Sequence, residues 1–135
     1  DEAAQRLQEG LTLDPSQAGL AMILARLQVE KGDLRNAIAT LQHTLPYAAE
    51  RPDYQAFLAA LFQRDAKHKE AIEHYVVALG QNPQNGVWWM GLGISLQAEN
   101  RLPEAREAFG RAKTSNALSP ELLAFVDQKL SQLKH

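Results

Sequence analysis

The sequence is 135 residues long, the size of one ordinary domain, and 45% of its residues are hydrophobic, enough for a sizeable core. Sixteen acidic residues against fourteen basic give a formal net charge of −2 with no basic block, which argues against nucleic-acid binding and gives no basis for steering acidic substrates. There is no cysteine, so disulfides and cysteine-based zinc sites are excluded, and no run of about 18 apolar residues that would cross a bilayer.

The pattern opens in mid-course at Asp1, with no initiator methionine or signal peptide, and the sequence is expected to be a piece of a longer chain. A first helix is expected over about 2–12 and a second over about 16–31, where Leu20, Ile23, Leu24 and Leu27 follow helical spacing up to a turn at Gly32-Asp33. A third covers about 34–45, and Pro46 and Pro52 predict that it ends early or is kinked. Helices over about 52–65 and 68–80 flank a turn from Arg64 to Lys67, the later one carrying Ala71, Ile72, Tyr75 and Leu79 on one face. Asn82-Pro83 then separates them from helices over about 85–99 and 102–114, which are split at Glu99-Asn100. The last helix, about 119–134, has a start signal: Ser119 as cap, Pro120 in the first turn, Glu121 at the positive end of the dipole. It continues as Leu122, Leu123, Phe125, Val126, Leu130 and Leu133 on one face, with Asp127, Gln128, Lys129, Gln132 and Lys134 on the other. No strand alternation competes with these helices.

The helices repeat. Ala37, Ala71 and Ala105 are 34 residues apart, and so are Leu24, Leu58 and Leu92. Large residues recur at Leu41, Tyr75 and Phe109, and small ones at Ala25, Ala59 and Gly93. Small positions let two helices approach and large ones fill the space between successive pairs, as a stacked array requires.

Residues 86–112 resemble a tetratricopeptide repeat, with Trp89, Leu92, Gly93, Leu96, Ala105, Phe109 and Ala112 at its motif positions. Residues 52–85 match through Leu58, Ala59, Phe62, Ala71, Tyr75, Ala78 and Pro83, with Gln55 in place of the tryptophan. Residues 18–51 keep Leu24, Ala25, Gly32, Ala37 and Leu41, but Gln28 and Thr44 stand where an aromatic and an alanine are expected and Ala49 replaces the closing proline. The resemblance implies an all-α fold, a right-handed α-solenoid of antiparallel helix pairs with about eight helices. In this register 1–17 hold the second helix of a truncated repeat, with Ala3, Leu7 and Pro15 in phase; 18–51, 52–85 and 86–118 are three repeats, and 119–135 a capping helix.

No enzyme chemistry is legible. GxxxxGK[ST], GxSxG and HExxH are all missing, and with them any sequence basis for a catalytic residue, a cofactor or a metal. His68 and His74 have poor metal spacing and are expected to be solvated on the helix surface, His43 has no nearby partner, and His135 is terminal. Glu99, Glu104 and Glu107 are expected in solvent at turn and outer-face positions.

The resemblance instead implies a protein- or peptide-binding groove lined by the first helix of each repeat, at positions occupied here by Met22, Arg26 and Val29, then Ala56, Ala60, Gln63 and Arg64, then Val87, Met90, Ile94 and Gln97. Val87, Met90 and Ile94 form an apolar stripe beside small Ala56 and Ala60, suited to an apolar peptide segment, with Arg26 and Arg64 placed to hold an acidic group. Three occupants of the stripe stay open: a partner segment, the chain's own last helix, and a second copy. Trp88 is open in the same way, as a partner anchor or as packing under the preceding turn. The clamp by which some tetratricopeptide domains hold a chaperone's terminal carboxylate is not expected, because Met22, Arg26 and Ala60 occupy its positions. The stretch from Trp88 to Gly93, with Glu104-Ala105 and residues 118–122, also resembles the C-terminal region of the MSHA type IV pilus biogenesis proteins of Gram-negative bacteria. That implies a scaffold at the periplasmic face of the inner membrane, membrane-anchored in the full-length protein, with pilus components as partners; a generic cytoplasmic adaptor or self-associating module is the alternative.

Overall fold

The computed structural model describes residues 2–134; Asp1 and His135 lie outside the described residues. Among these residues the chain forms eight α-helices and no strand: α1 Glu2–Leu13, α2 Ala18–Glu30, α3 Leu34–Thr44, α4 Pro52–Arg64, α5 His68–Gln81, α6 Gly86–Ala98, α7 Leu102–Thr114 and α8 Pro120–Gln132. Each stacks on its neighbour in sequence, so the fold is an α-solenoid, and helix ends fall within two residues of those expected.

The turns inside the pairs α2/α3, α4/α5 and α6/α7 share one construction. Gly32, Ala66 and Asn100 all have positive φ, 79°, 58° and 60°. Each lets the following N–H reach back to the first helix, from Asp33 to Gln28 O, Lys67 to Phe62 O and Arg101 to Leu96 O. These are Schellman closures, in which a left-handed residue just past the helix satisfies its last carbonyls. Among the three, alanine alone has neither glycine's freedom nor asparagine's local tolerance of this conformation.

Packing follows the period. Ala37, Ala71 and Ala105 are fully buried, as are Leu41, Phe109, Leu58 and Ala59. A Cβ added to Gly93 would come within 2.9 Å of the Phe109 ring in α7, and one on Gly91 within 2.5 Å of the Tyr75 ring in α5. The two glycines thus bring α6 close to the helix on either side.

The position of the motif tryptophan has a second task. Trp89 Nε1 donates to Pro83 O at 2.8 Å, tying the start of α6 to the loop before it. Gln55, 34 residues earlier, donates through Nε2 to Ala49 O, also at 2.8 Å. The glutamine reproduces the tryptophan's hydrogen bond without its bulk.

The prolines act as expected on α3, which ends at Thr44 and continues as a 3-10 turn over Leu45–Tyr47. Pro46 has no N–H to continue the α-helical ladder. The Leu45 N–H turns to Gln42 O, three residues back, leaving Leu41 O without its usual helical donor. The buried Tyr54 hydroxyl of α4 donates to that carbonyl at 2.6 Å. Burial holds the Tyr54 hydroxyl well above the usual phenol range. At the other end Ser119 caps α8 by accepting from the Leu122 N–H, and Val126 and Leu133 are buried as the helix packs on α7.

Candidate partner-binding face

The residues assigned to a groove are brought onto α2, α4 and α6, but they are not equally available. Met22 and Ala56 are 8% and 5% exposed and sit in the core, because the small neighbours that let helices approach also enclose them. Val29 and Ala60 are half-buried. The Arg26 guanidinium lies 5.5 Å above the Phe57 ring, a cation–π contact that joins α2 to α4. Arg64 is exposed at the end of α4, and its side chain makes no ion pair or hydrogen bond with the described residues.

Gln63 is committed to the fold. Its Nε2 donates to Gly91 O at 2.7 Å and to the fully buried Ser95 Oγ at 2.8 Å, and His68 Nδ1 lies 3.0 Å from the same hydroxyl. This network locks α4 to α6 and fixes the spacing of the face they share. Beside it, Val87 is 44% exposed, while Met90, Ile94 and Gln97 are half-buried. The other stripe of α6 supplies Leu92, Gly93 and Leu96 to the core, and Trp88 is half-buried against that core.

The histidines correct the expectation of a solvated surface. His74 stacks on Phe62, with ring centroids 5.5 Å apart, and its Nδ1 lies 2.6 Å from Gln55 Oε1. Because Gln55 uses its amide N–H on Ala49 O, its oxygen must accept, and His74 Nδ1 carries the proton. Burial lowers the His74 pKa, against opposing effects of Glu73 and Glu70. His68 and His74 belong to separate networks, because six residues set them about 240° apart around α5, one toward Ser95 of α6 and the other toward Gln55 and Phe62 of α4. Glu104 and Glu107 are exposed as expected, paired with Arg101 and Arg111; the Arg101 hydrogen bond holds the Glu104 carboxyl below its usual range.

Sequence reasoning did not assemble a polar cleft of about 450 Å³ among α1, α2 and α3, lined by Gln8, Thr12, Gln28, Thr40, His43 and Thr44 with three other residues. Its signal was present in Gln28 and Thr44, two of the three departures of residues 18–51 from the repeat. Thr40 donates to Gln28 at 2.9 Å where the next repeat stacks His74 on Phe62, and the smaller pair leaves the space open.

Residues 1–61 match the tetratricopeptide repeat family. This span includes the repeat that keeps the fewest motif residues. Over 61 residues, 45% of the chain, the sequence is 38% identical to the peroxisomal targeting signal receptor of Candida glabrata, of which it spans 10%. Among solved structures, that of MamA superposes with a TM-score of 0.85 at 15% identity, covering 96% of this chain and 74% of MamA. The first tetratricopeptide domain of Spaghetti (RPAP3), bound to the HSP90 peptide SRMEEVD, superposes with a TM-score of 0.78 at 16% identity, covering 90% of this chain and 93% of that one. The family match is thus confined to residues 1–61, while across 90% of its length the chain has the fold of a tetratricopeptide domain.

Proposed function

We propose that the chain is a protein-interaction scaffold that holds an apolar segment of a partner protein on the face formed by α2, α4 and α6. The carrying observation is the stripe Val87, Met90 and Ile94, which keeps surface on a helix whose opposite stripe is spent on the core. Ala60 leaves room beside it, and Arg64, whose side chain has no partner among the described residues, is placed to meet an acidic group at the edge. Met22 and Ala56 serve as support beneath this face. That a domain of the same fold holds the peptide SRMEEVD supports a peptide ligand in general, and the apolar character assigned to this one rests on the stripe. Nothing in this face calls for catalysis or a cofactor.

The test is a peptide panel of apolar segments with and without a flanking acidic residue, measured against the wild type and a Met90→Glu, Ile94→Glu variant. We expect at least about tenfold weaker binding in the variant with unchanged helicity, since each glutamate brings a charge into an apolar contact. Unchanged affinity would sink the assignment. The finer reading, a scaffold for MSHA-type pilus assembly at the periplasmic face of the inner membrane, is supported by the resemblance of residues 88–93, Glu104-Ala105 and 118–122 alone. Fractionation of cells producing the full-length protein tests it: recovery from the cytoplasm without membrane association would favour the adaptor reading.

A further inference from the structure

The polar cleft of about 450 Å³ belongs to the second helices α1 and α3, with Gln28 the one lining residue from α2, so it is separate from the face formed by α2, α4 and α6. Three of its residues differ in kind from their counterparts in the later repeats. Gln28 stands where Phe62 and Leu96 do, Thr40 where His74 and Ala108 do, and Thr44 where Ala78 and Ala112 do. Apart from His74, these counterparts are all buried in the core.

Polarity at these positions works against the fold. Thr44 Oγ1 is buried near the Tyr54 hydroxyl, which gives its proton to Leu41 O, and it forms no hydrogen bond among the described residues. An unsatisfied buried hydroxyl costs stability that an alanine would not. The second and third repeats close without any of the three polar residues, so stacking does not require them.

The polar groups of the cleft are only half used. Thr40 donates to Gln28 Oε1 at 2.9 Å, which leaves Gln28 Nε2 without a partner among the described residues. Thr12 donates to Gln8 O at 2.9 Å, so its oxygen is left to accept. Asn36 Nδ2 donates to Asp33 at 2.6 Å, and Asn36 Oδ1 is likewise left to accept. The lining therefore offers a donor and two acceptors, with no acidic, lysine or arginine side chain. A charged ligand would lose its hydration there without an opposite charge to replace it, and an apolar one would strip water from all three groups. A primary carboxamide meets both demands, because one planar head carries an acceptor oxygen and a nitrogen with two N–H donors. The cleft is of small-ligand size, with room for the chain that bears such a head.

We propose that this cleft is a second binding site, for an uncharged ligand bearing a carboxamide, with Gln28 donating to its oxygen and Thr12 and Asn36 accepting from its nitrogen. The site is independent of the partner-binding face, since Val87, Met90 and Ile94 take no part in it.

Titration of the isotope-labelled chain, followed by amide NMR, tests this with N-acetylglutamine N-methylamide, its glutamate counterpart and propionamide. The glutamine probe should give saturable shifts confined to α1, α2 and α3, the Gln28 side-chain amide among them. The glutamate probe, of the same shape but charged, should bind at least about tenfold more weakly. A Gln28→Phe, Thr40→His variant installs the ring pair that already stacks as Phe62 and His74; by filling the cleft it should weaken the glutamine probe at least about tenfold. Asn36→Ala, at an exposed position, should keep the fold and weaken the same probe about threefold or more. Propionamide binding as tightly as the glutamine probe assigns the site to a free small amide, and a preference for the glutamine probe assigns it to a partner's side chain. Shifts that never saturate, shifts on α4 and α6 instead, equal binding of the glutamate probe, or unchanged affinity in either variant overturns the proposal.

Discussion

Ala66 shows how a structural role can be fixed by position while the residue that fills it is left unoptimised. With φ at 58° it closes the central pair as Gly32 and Asn100 close theirs, and it does so with a Cβ in a conformation that disfavours one. Ala66→Gly should therefore raise stability by about 1 kcal/mol, the relief of strain outweighing the greater entropy of an unfolded glycine; urea denaturation checks it. His74 carries a pH dependence instead. Burial lowers its pKa below 6.5, so as pH falls the unfolded chain takes up the proton first, and stability held above about 6.5 is lost down through the lowered folded value. The thermal midpoint should drop between about pH 7.5 and about 5.5, and a His74→Leu variant, though less stable, should show a shallower slope. The sequence placed His74 on its helix but gave no sign of this burial, because its partners Phe62 and Gln55 sit on another helix and are set by pairing.

The irregular element is α3. Its shortened end was legible, since a proline in the last turn removes a donor wherever the chain goes afterwards. The repair was not legible: the orphaned Leu41 carbonyl is met by Tyr54, thirteen residues on, through a contact that exists only once α4 has docked. Tyr54→Phe should cost about 1–2 kcal/mol by leaving that buried carbonyl unsatisfied, and the loss should appear in chemical denaturation with helicity preserved. Periodicity exposed the helices and the core because both follow from spacing along one strand of sequence. The partner-binding face was legible only in outline, for a like reason. The register picked out α2, α4 and α6, whereas the burial of Met22 and Ala56 and the commitment of Gln63 to Gly91 and Ser95 depend on how closely adjacent helices approach.

Across the whole molecule the stack is uneven. α3 meets α4 over a smaller interface than α5 shares with α6, and the 3-10 turn lies at that junction. A linear array transmits stability only through neighbouring interfaces, so α1 to α3 should open as a unit at lower free energy than α4 to α7. Native-state hydrogen exchange checks this: uniform protection across both groups would contradict it. The placement of the aromatic residues makes such uneven opening visible in a second way. Both tryptophans of the chain, Trp88 and Trp89, lie side by side on α6, and the Arg111 guanidinium sits 5.1 Å above the Trp89 ring. Indole emission therefore reports the third repeat alone, whereas the far-ultraviolet ellipticity averages over all eight helices, and a difference between the two melting curves would give the order in which the array comes apart.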